Sequence, residues 1–186
     1  VFKGNSSILN SLLALMNENV YHENGAALPA PLMSMFAASN ETPEDASLDA
    51  LYDRFLLRVQ VPYIAGDDSF KRLLQENNVA DVAKTSSISK ADLNAARAAI
   101  KKIAFSNATV DAVLSIKHEL EIEGVFASDR RWKACVNLIK AQAWFCGEGT
   151  TNEEHTEITV NALWNTPEQK RIAERCVNKI ANPLNL

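Results

Sequence analysis

An almost unbroken apolar run, LMSMFAAS from Leu32 to Ser39, is the feature that most restricts the fold of this chain. A strand that is apolar on both faces is typical of a parallel sheet covered by helices on both sides. A second run of this kind, FLLRVQV, extends from Phe55 to Val61, and the helical pattern between the two runs begins near Ser47. The order strand, helix, strand predicts part of an α/β sheet.

A short hairpin is predicted before the first apolar run. The segment VYHENGAALPAP holds two extended arms around Asn24 and Gly25, a dipeptide that suits the positive φ angles of a type I′ turn. Pro29 and Pro31 keep this hairpin out of a sheet interior, because proline cannot donate a hydrogen bond to a neighbouring strand. Apolar residues at helical spacing predict a helix before the hairpin, from Asn5 to Met16.

The remainder of the chain, after Gly66, has a helical pattern throughout. Residues that favour helix N-termini precede the helical segments at Ser89, Asn107, Ser128, Thr151 and Thr166. Gly147 is expected to end the helix that follows Ser128. We therefore predict the end of an α/β core over residues 1–66, an all-α domain over 67–165 and a closing helical segment over 166–186.

Composition and charge restrict the class of protein. The 186 residues carry a net charge of −4, which argues against a broad nucleic-acid surface. Three scattered cysteines at apolar helical positions are typical of buried thiols in a reducing compartment, and they show no metal-ligand spacing with the histidines. No apolar run approaches the roughly 20 residues of a membrane span. We expect a cytoplasmic protein and, because the sequence opens at Val1 without methionine, a piece of a longer one.

Two polar residues stand at the junctions of the predicted strands. Asn40 follows the first strand at its carboxyl end, where open parallel sheets bind ligands, although an asparagine there can simply begin a turn. Arg54 lies at the opposite end of the strand layer, so it could reach a site on a neighbouring subunit and neutralise charge on a transferred phosphoryl group. The alternative for Arg54 is a surface ion pair with Asp49 or Asp53.

Two further arginines, Arg130 and Arg131, fall in the first turn of the helix that follows Ser128. A positive side chain there opposes the helix dipole and is mildly unfavourable unless an anion is nearby. The simpler explanation is pairing with Asp129. Both interpretations remain open from the residues alone.

Together these segments resemble the MoxR family of AAA+ ATPases and, within it, the RavA-like branch. FKGNSSILNSLLALMNEN resembles the helix after the Walker B acids, and VYHENGAALPAPL resembles the hairpin before the sensor 1 strand. AASNETPEDASLDALYDRFLLRV is similar to the block that holds sensor 1 and the arginine finger. SDRRWKACVNLIKAQAWF resembles the sensor 2 helix of the lid, and ALWNTPEQ resembles the closing lid segment. The likeness covers about residues 1–170, with the blocks in family order.

The resemblance implies specific roles. Asn40 would be sensor 1, which positions the attacking water, and Arg54 would be the arginine finger that acts in trans on the adjacent subunit's nucleotide. Arg130 would be sensor 2, contacting the γ-phosphate in cis, with Arg131 as the alternative. The whole protein would bind ATP and Mg²⁺, assemble as a ring, most simply a homo-hexamer, and remodel client proteins.

The sequence also departs from the family pattern. No G-x-x-x-x-G-K-[ST] motif occurs in it, and the acidic pair that would precede Val1 is missing. We therefore expect this chain alone to hold no nucleotide or metal cofactor and to hydrolyse no ATP. Two rival hypotheses are a non-catalytic helical adaptor that binds acidic partners through its arginines, and a nucleic-acid regulator that uses the helix after Ser128. The acidic charge balance argues against the regulator.

Overall fold

The fold comes from a computed structural model that describes residues 6–23, 25–40, 42–43, 46–75 and 87–183. In chain order its elements are α1 (Ser6–Glu18), β1 (Val20–Glu23), β2 (Ala26–Pro29), α2 (Ala46–Tyr52), α3 (Asp67–Gln75), α4 (Lys90–Lys102), α5 (Asn107–Ile122), α6 (Asp129–Phe145), a 3₁₀ helix (Glu154–Ala162) and α7 (Pro167–Ala181).

The predicted hairpin is confirmed. Strands β1 and β2 pair antiparallel, with Val20 opposite Pro29 and Glu23 opposite Ala26. Gly25 has φ +81°, a value that glycine adopts without strain. Asn24, the other predicted turn residue, lies outside the described residues. The hairpin side chains are largely exposed. The two strands therefore form a protruding ribbon that does not pack as a layer of the core.

The two apolar runs do not form the predicted strands. Within the described residues, 30–40 and 55–65 contain neither helix nor strand, and the sheet is limited to β1 and β2. An extended segment becomes a strand only by forming a ladder of backbone hydrogen bonds with a neighbour, and neither run forms such a ladder with another described segment. Side chains expected in an interior are exposed instead, among them Phe36 at 94% and Val61 at 85%. The helix between the runs is confirmed as α2.

The helical domain begins its helices largely where the capping residues predict. The side-chain oxygens of Ser89 and Ser128 accept hydrogen bonds from the backbone N–H three residues later, at 3.0 Å and 3.2 Å. Ser106, one residue before the predicted position, caps α5 in the same way at 3.1 Å. The prediction at Thr151 is wrong, because its hydroxyl faces inward and accepts a hydrogen bond from the Thr109 hydroxyl at 2.7 Å.

The core of the helical domain lies between α5, α6, α7 and the 3₁₀ helix, which pack on one another. Trp164 is buried in this core, as expected of a tryptophan on an apolar face. Helix α6 ends at Phe145, and Gly147 follows with φ +79°, as predicted for a stop signal. Other buried apolar members are Ile116, Leu120, Val125, Cys135, Leu163, Ala173, Cys176 and Val177.

Candidate functional site

The end of α2 meets the N-terminus of α6, and this junction brings together three of the arginines that the sequence singles out. Arg54 follows α2 after one intervening residue, and Arg130 and Arg131 are in the first turn of α6. Asn40, the fourth predicted site residue, is exposed on the segment after β2. Within the described residues no hydrogen bond or ion pair joins Asn40 to the arginines, so the structure assembles the arginines without it.

Asp53 is the acidic residue at the centre of the junction. Its Oδ1 accepts a hydrogen bond from Nη2 of Arg131 at 2.9 Å, and its Oδ2 accepts one from the Ser128 hydroxyl at 2.7 Å. Nη1 of Arg130 lies 3.9 Å from the same Oδ2. Arg130 and Arg131 therefore both form ion pairs with Asp53 and not with the expected neighbour Asp129.

Arg130 and Arg131 differ sharply in exposure. The Arg131 side chain is 3% exposed, and its Nη1 also donates to Oδ1 of Asn165 at 2.8 Å. The Arg130 side chain is 61% exposed. Arg131 is therefore committed to contacts within the chain, whereas Arg130 can contact a ligand.

Arg54 makes its side-chain hydrogen bonds to α1 and α2. Its Nε donates to Oδ1 of Asn17 at 2.8 Å, and its Nη1 donates to the carbonyl oxygen of Ala50. Partial burial lowers the pKa of the Arg54 guanidinium, the positive charge of Arg130 lowers it further, and Asp53 opposes both effects. Arg54 and Arg130 also line one small cleft.

Arg58 is a buried arginine that was not among the predicted site residues. Its Nη1 donates to the carbonyl oxygen of Trp164 and its Nη2 donates to that of Tyr52 at 3.2 Å. The guanidinium also lies 3.9 Å from the centroid of the Tyr52 ring. Burial, and next the charge of Arg131, lower the pKa of Arg58 to about 10. An arginine within the apolar run FLLRV is costly unless it is partnered, which is the signal that could have identified it.

Asn165 connects these residues and was not predicted either. Its Oδ1 accepts hydrogen bonds from Nη1 of both Arg131 and Arg58, at 2.8 Å and 3.2 Å. Its Nδ2 donates to the carbonyl oxygen of Phe126 at 2.9 Å, and its own carbonyl oxygen accepts from the Tyr52 hydroxyl at 2.7 Å. Asn165 therefore ties α2 and the segment after it to the helical domain.

A small cleft of about 210 Å³ opens beside this network, and Asn17, Asp53, Arg54, Arg130 and Arg131 line it. A larger cleft of about 570 Å³ shares Asp53 and Arg131 and extends past Ser128 and Asn165. Three of the lining residues of the small cleft are arginines, and the carboxylate of Asp53 already bonds to Arg131 and Ser128. The small cleft therefore has an excess of positive charge that suits an anion.

The arginines of the small cleft have the chemistry of an anion site. Arginine forks match the oxygens of a phosphate group, and Arg130 is exposed enough to reach one. Within the described residues, no group of three or more His, Cys, Asp or Glu side chains could hold a metal ion.

No described helix is both long and apolar enough to cross a bilayer.

Comparison with known protein families accounts for both parts of the chain. Residues 1–102 match the family model described as the MoxR domain in the MoxR-vWA-beta-propeller ternary systems. Residues 108–177 match the model of an AAA lid domain.

Relatives and a solved structure are consistent with those matches. Two uncharacterized proteins of Methanocaldococcus jannaschii, MJ0812 and MJ0079, are 35% identical over 185 residues and 33% identical over 182 residues. Each alignment covers 98% of this chain, which spans about half of the relatives, 48% and 47% of their lengths. The crystal structure of a proposed ATPase from Cytophaga hutchinsonii superposes with a TM-score of 0.67 at 17% identity, covering 95% of this chain and 62% of that one.

The fold and the matched domains define a part of an AAA+ module, the end of an α/β core followed by a helical lid. The chain belongs to the MoxR family of AAA+ proteins. The RavA-like branch expected from the sequence stays a prediction.

Proposed function

We propose that this chain completes the ATP site of a MoxR-type ATPase, with Arg54 and Arg130 supplying positive charge to the phosphoryl group that is transferred. The observation that carries the proposal is that both arginines line one small cleft. The Asp53 carboxylate in the same cleft bonds to Arg131 and Ser128 and lies 3.9 Å from Arg130, so three arginines and one carboxylate leave the cleft a net positive charge for an anion.

Arg130, and not Arg131, takes the sensor 2 role in this proposal. A residue that contacts the γ-phosphate must be able to leave its intramolecular partners, and Arg131 is buried between Asp53 and Asn165. Arg130 has a long ion pair of 3.9 Å and an exposed side chain. Such an ion pair contributes little to stability, so replacing it with a phosphate contact costs little.

The position of Arg130 beside Arg54 supports a common target for the two residues. The resemblance implies that Arg54 acts in trans and Arg130 in cis. Because both arginines line one cleft, the simplest arrangement is that they contact the same anion. We propose that both act on the nucleotide of the adjacent subunit. Asn40, which has no described contact with them, acts in cis as sensor 1 at the other copy of the site.

Bound ATP with Mg²⁺ supplies the phosphoryl group and the metal charge that ordinarily accompanies its transfer. The two arginines stabilise the negative charge on the oxygens of that group. Asn17, which accepts from Nε of Arg54, holds the guanidinium in one orientation and leaves Nη2 able to donate.

The test uses the complete protein that carries this chain, with Arg54→Ala as the main variant. Arginine fingers contribute about a thousandfold or more to turnover, so we expect ATP turnover to fall by that factor while ATP affinity changes little. Arg175→Ala is the matched control, because Arg175 is an exposed arginine paired with Glu123 on the lid. Normal turnover by the Arg54→Ala protein would refute this proposal and favour the adaptor hypothesis.

Mixed assemblies separate action in cis from action in trans. A variant without the Walker lysine has dead sites but an intact Arg54, so mixing it with the Arg54→Ala variant should restore part of the activity. The same mixture with Arg130→Ala should also restore activity if Arg130 acts in trans. If mixed rings form and the Arg130 mixture stays inactive while the Arg54 mixture recovers, Arg130 acts in cis.

The proposal extends to assembly and partners. A site completed by an arginine from the adjacent subunit requires an oligomer, and we propose a hexameric ring that couples ATP hydrolysis to protein remodelling. The matched family is described in systems that combine MoxR, vWA and β-propeller proteins. We propose a vWA protein and a β-propeller protein as its partners, which co-purification with the complete protein would test.

A further inference from the structure

We propose that Asp53 is a positioning residue for the arginine pair. It fastens the N-terminus of α6 to the end of α2, so that Arg130 and Arg54 face one phosphate group at a fixed separation. The inference rests on the proposed function of the two arginines and adds the residue that sets their geometry.

Both carboxylate oxygens of Asp53 bond to the start of α6. Oδ1 accepts from Arg131 at 2.9 Å and Oδ2 accepts from the Ser128 hydroxyl at 2.7 Å. The Ser128 oxygen in turn accepts the backbone N–H of Arg131 at 3.2 Å and caps the helix. Asp53 therefore holds the first turn of α6 at two residues, the N-cap Ser128 and Arg131. Arg130 lies between these two residues in the sequence.

The residue after Asp53 is held by a different helix. Arg54 bonds to Asn17 of α1 at 2.8 Å, while Asp53 bonds to the lid. Asp53, which anchors the lid, and Arg54 are therefore neighbours in the chain. Any shift of the α6 N-terminus relative to Asp53 changes the distance between Arg54 and Arg130.

Charge repulsion makes this anchor necessary. Arg54 and Arg130 carry like charges and line the same small cleft, and the charge of Arg130 lowers the pKa of Arg54. The Asp53 side chain is only 18% exposed, so solvent weakens its attraction for the arginines less than at an open surface. Without that carboxylate, the repulsion drives the lid arginine away from Arg54.

The experiment measures ATP turnover by the complete protein that carries this chain, with Asp53→Asn as the variant. Asparagine keeps the shape and one acceptor oxygen but removes the charge. Because a misplacement of about 1 Å can cost about 100-fold in rate, we expect the turnover number to fall about 100-fold with a small change in KM for ATP. Asp111→Asn, which removes an exposed carboxylate from α5, is the matched control and should keep normal turnover.

A double-mutant cycle with Arg130→Ala separates positioning from a general loss of structure. If Asp53 acts by placing Arg130, adding Asp53→Asn to Arg130→Ala should lower turnover less than about threefold further, because the two variants disrupt one interaction. Full additivity of the two effects overturns the proposal. If the Asp53→Asn protein does not fold, Ser128→Ala takes its place in the cycle, since it removes one of the two bonds to Asp53.

Failure of this inference can be told apart from failure of the proposed function. Normal turnover by Arg54→Ala refutes the proposed function and the inference with it. If Arg54→Ala loses turnover but Asp53→Asn behaves like the Asp111→Asn control, the positioning role of Asp53 is refuted and the proposed function stands.

Discussion

Replacing Asn165 with alanine should destabilise this chain strongly, because one side chain serves three partners. It is the acceptor for the guanidiniums of Arg131 and Arg58 and a donor to the carbonyl oxygen of Phe126. Removing it leaves Nη1 of Arg131 buried without that partner. Arg58 keeps the carbonyl oxygen of Trp164, so its loss is smaller.

The magnitude follows from the separate contacts. A hydrogen bond to a charged group contributes about 2 kcal/mol, which applies in full to the 2.8 Å bond from Arg131. The weaker bond from Arg58 and the bond to Phe126, a residue exposed enough for water to replace it, add roughly 1 kcal/mol together. We therefore expect a loss of about 3 kcal/mol in the free energy of unfolding, or roughly 6–12 °C in Tm.

Urea unfolding of the 186-residue chain, followed by circular dichroism, measures this loss. Asn165→Asp keeps the acceptor oxygen and adds a charge opposite two arginines, so it should lose clearly less stability than Asn165→Ala. Asn178→Ala is the matched control, because the Oδ1 atom of Asn178 is buried and accepts no hydrogen bond from the described residues. A loss below about 0.5 kcal/mol for Asn165→Ala, or an equal loss for Asn165→Asp, would refute the assignment of this oxygen as the shared acceptor.

Three further predictions concern the lid. At pH 8 a thiol reagent should modify the exposed Cys146 and spare Cys135 in the folded chain, because burial raises the pKa of Cys135 to about 12; equal rates by mass spectrometry would contradict this. Since an unfolded thiol ionises near pH 9 and the folded one near 12, the stability that Cys135 provides is lost as the pH rises through this range. The advantage of the native chain over Cys135→Ala in urea should shrink by roughly 1 kcal/mol from about pH 7.5 to about pH 10. Gln169→Ala should cost about 1 kcal/mol in urea unfolding, because its Oε1 accepts the backbone N–H groups of Asn165 and Thr166. A loss of unfolding free energy no larger than that of Lys170→Ala would argue against this role.

Local signals predicted the helices better than the strands. A helix start depends on one side chain and the backbone three residues later, so Ser89 and Ser128 could be identified from sequence. A strand depends on a partner elsewhere in the chain, and the sequence of the apolar run from Leu32 to Ser39 does not show whether such a partner is present. The hairpin is the exception, because its partner strand lies across a turn of two residues that the sequence specifies.

The polar network was harder to predict than the arginines themselves. Arg54 and Arg130 could be proposed from sequence because they fall in segments that resemble known blocks. Arg58 and Asn165 are 107 positions apart in the chain. Only the packing of the segment after α2 against the 3₁₀ helix brings them together, with the N–H of Arg58 donating to the carbonyl oxygen of Asn161 at 2.8 Å. Contacts at this sequence separation leave no trace in local periodicity.

The choice between Arg130 and Arg131, in contrast, could have been made from periodicity. The buried residues of α6 are Arg131, Cys135, Ile139 and Ala143, each four positions after the last. Residues four apart lie on one face of a helix, so the apolar stripe of α6 already assigns Arg131 to the buried side. Arg130 is rotated from it by about 100°, off the buried stripe, and its side chain is 61% exposed. An arginine that continues an apolar stripe is a structural residue held by buried partners, and its neighbour off the stripe is the one that can meet a ligand.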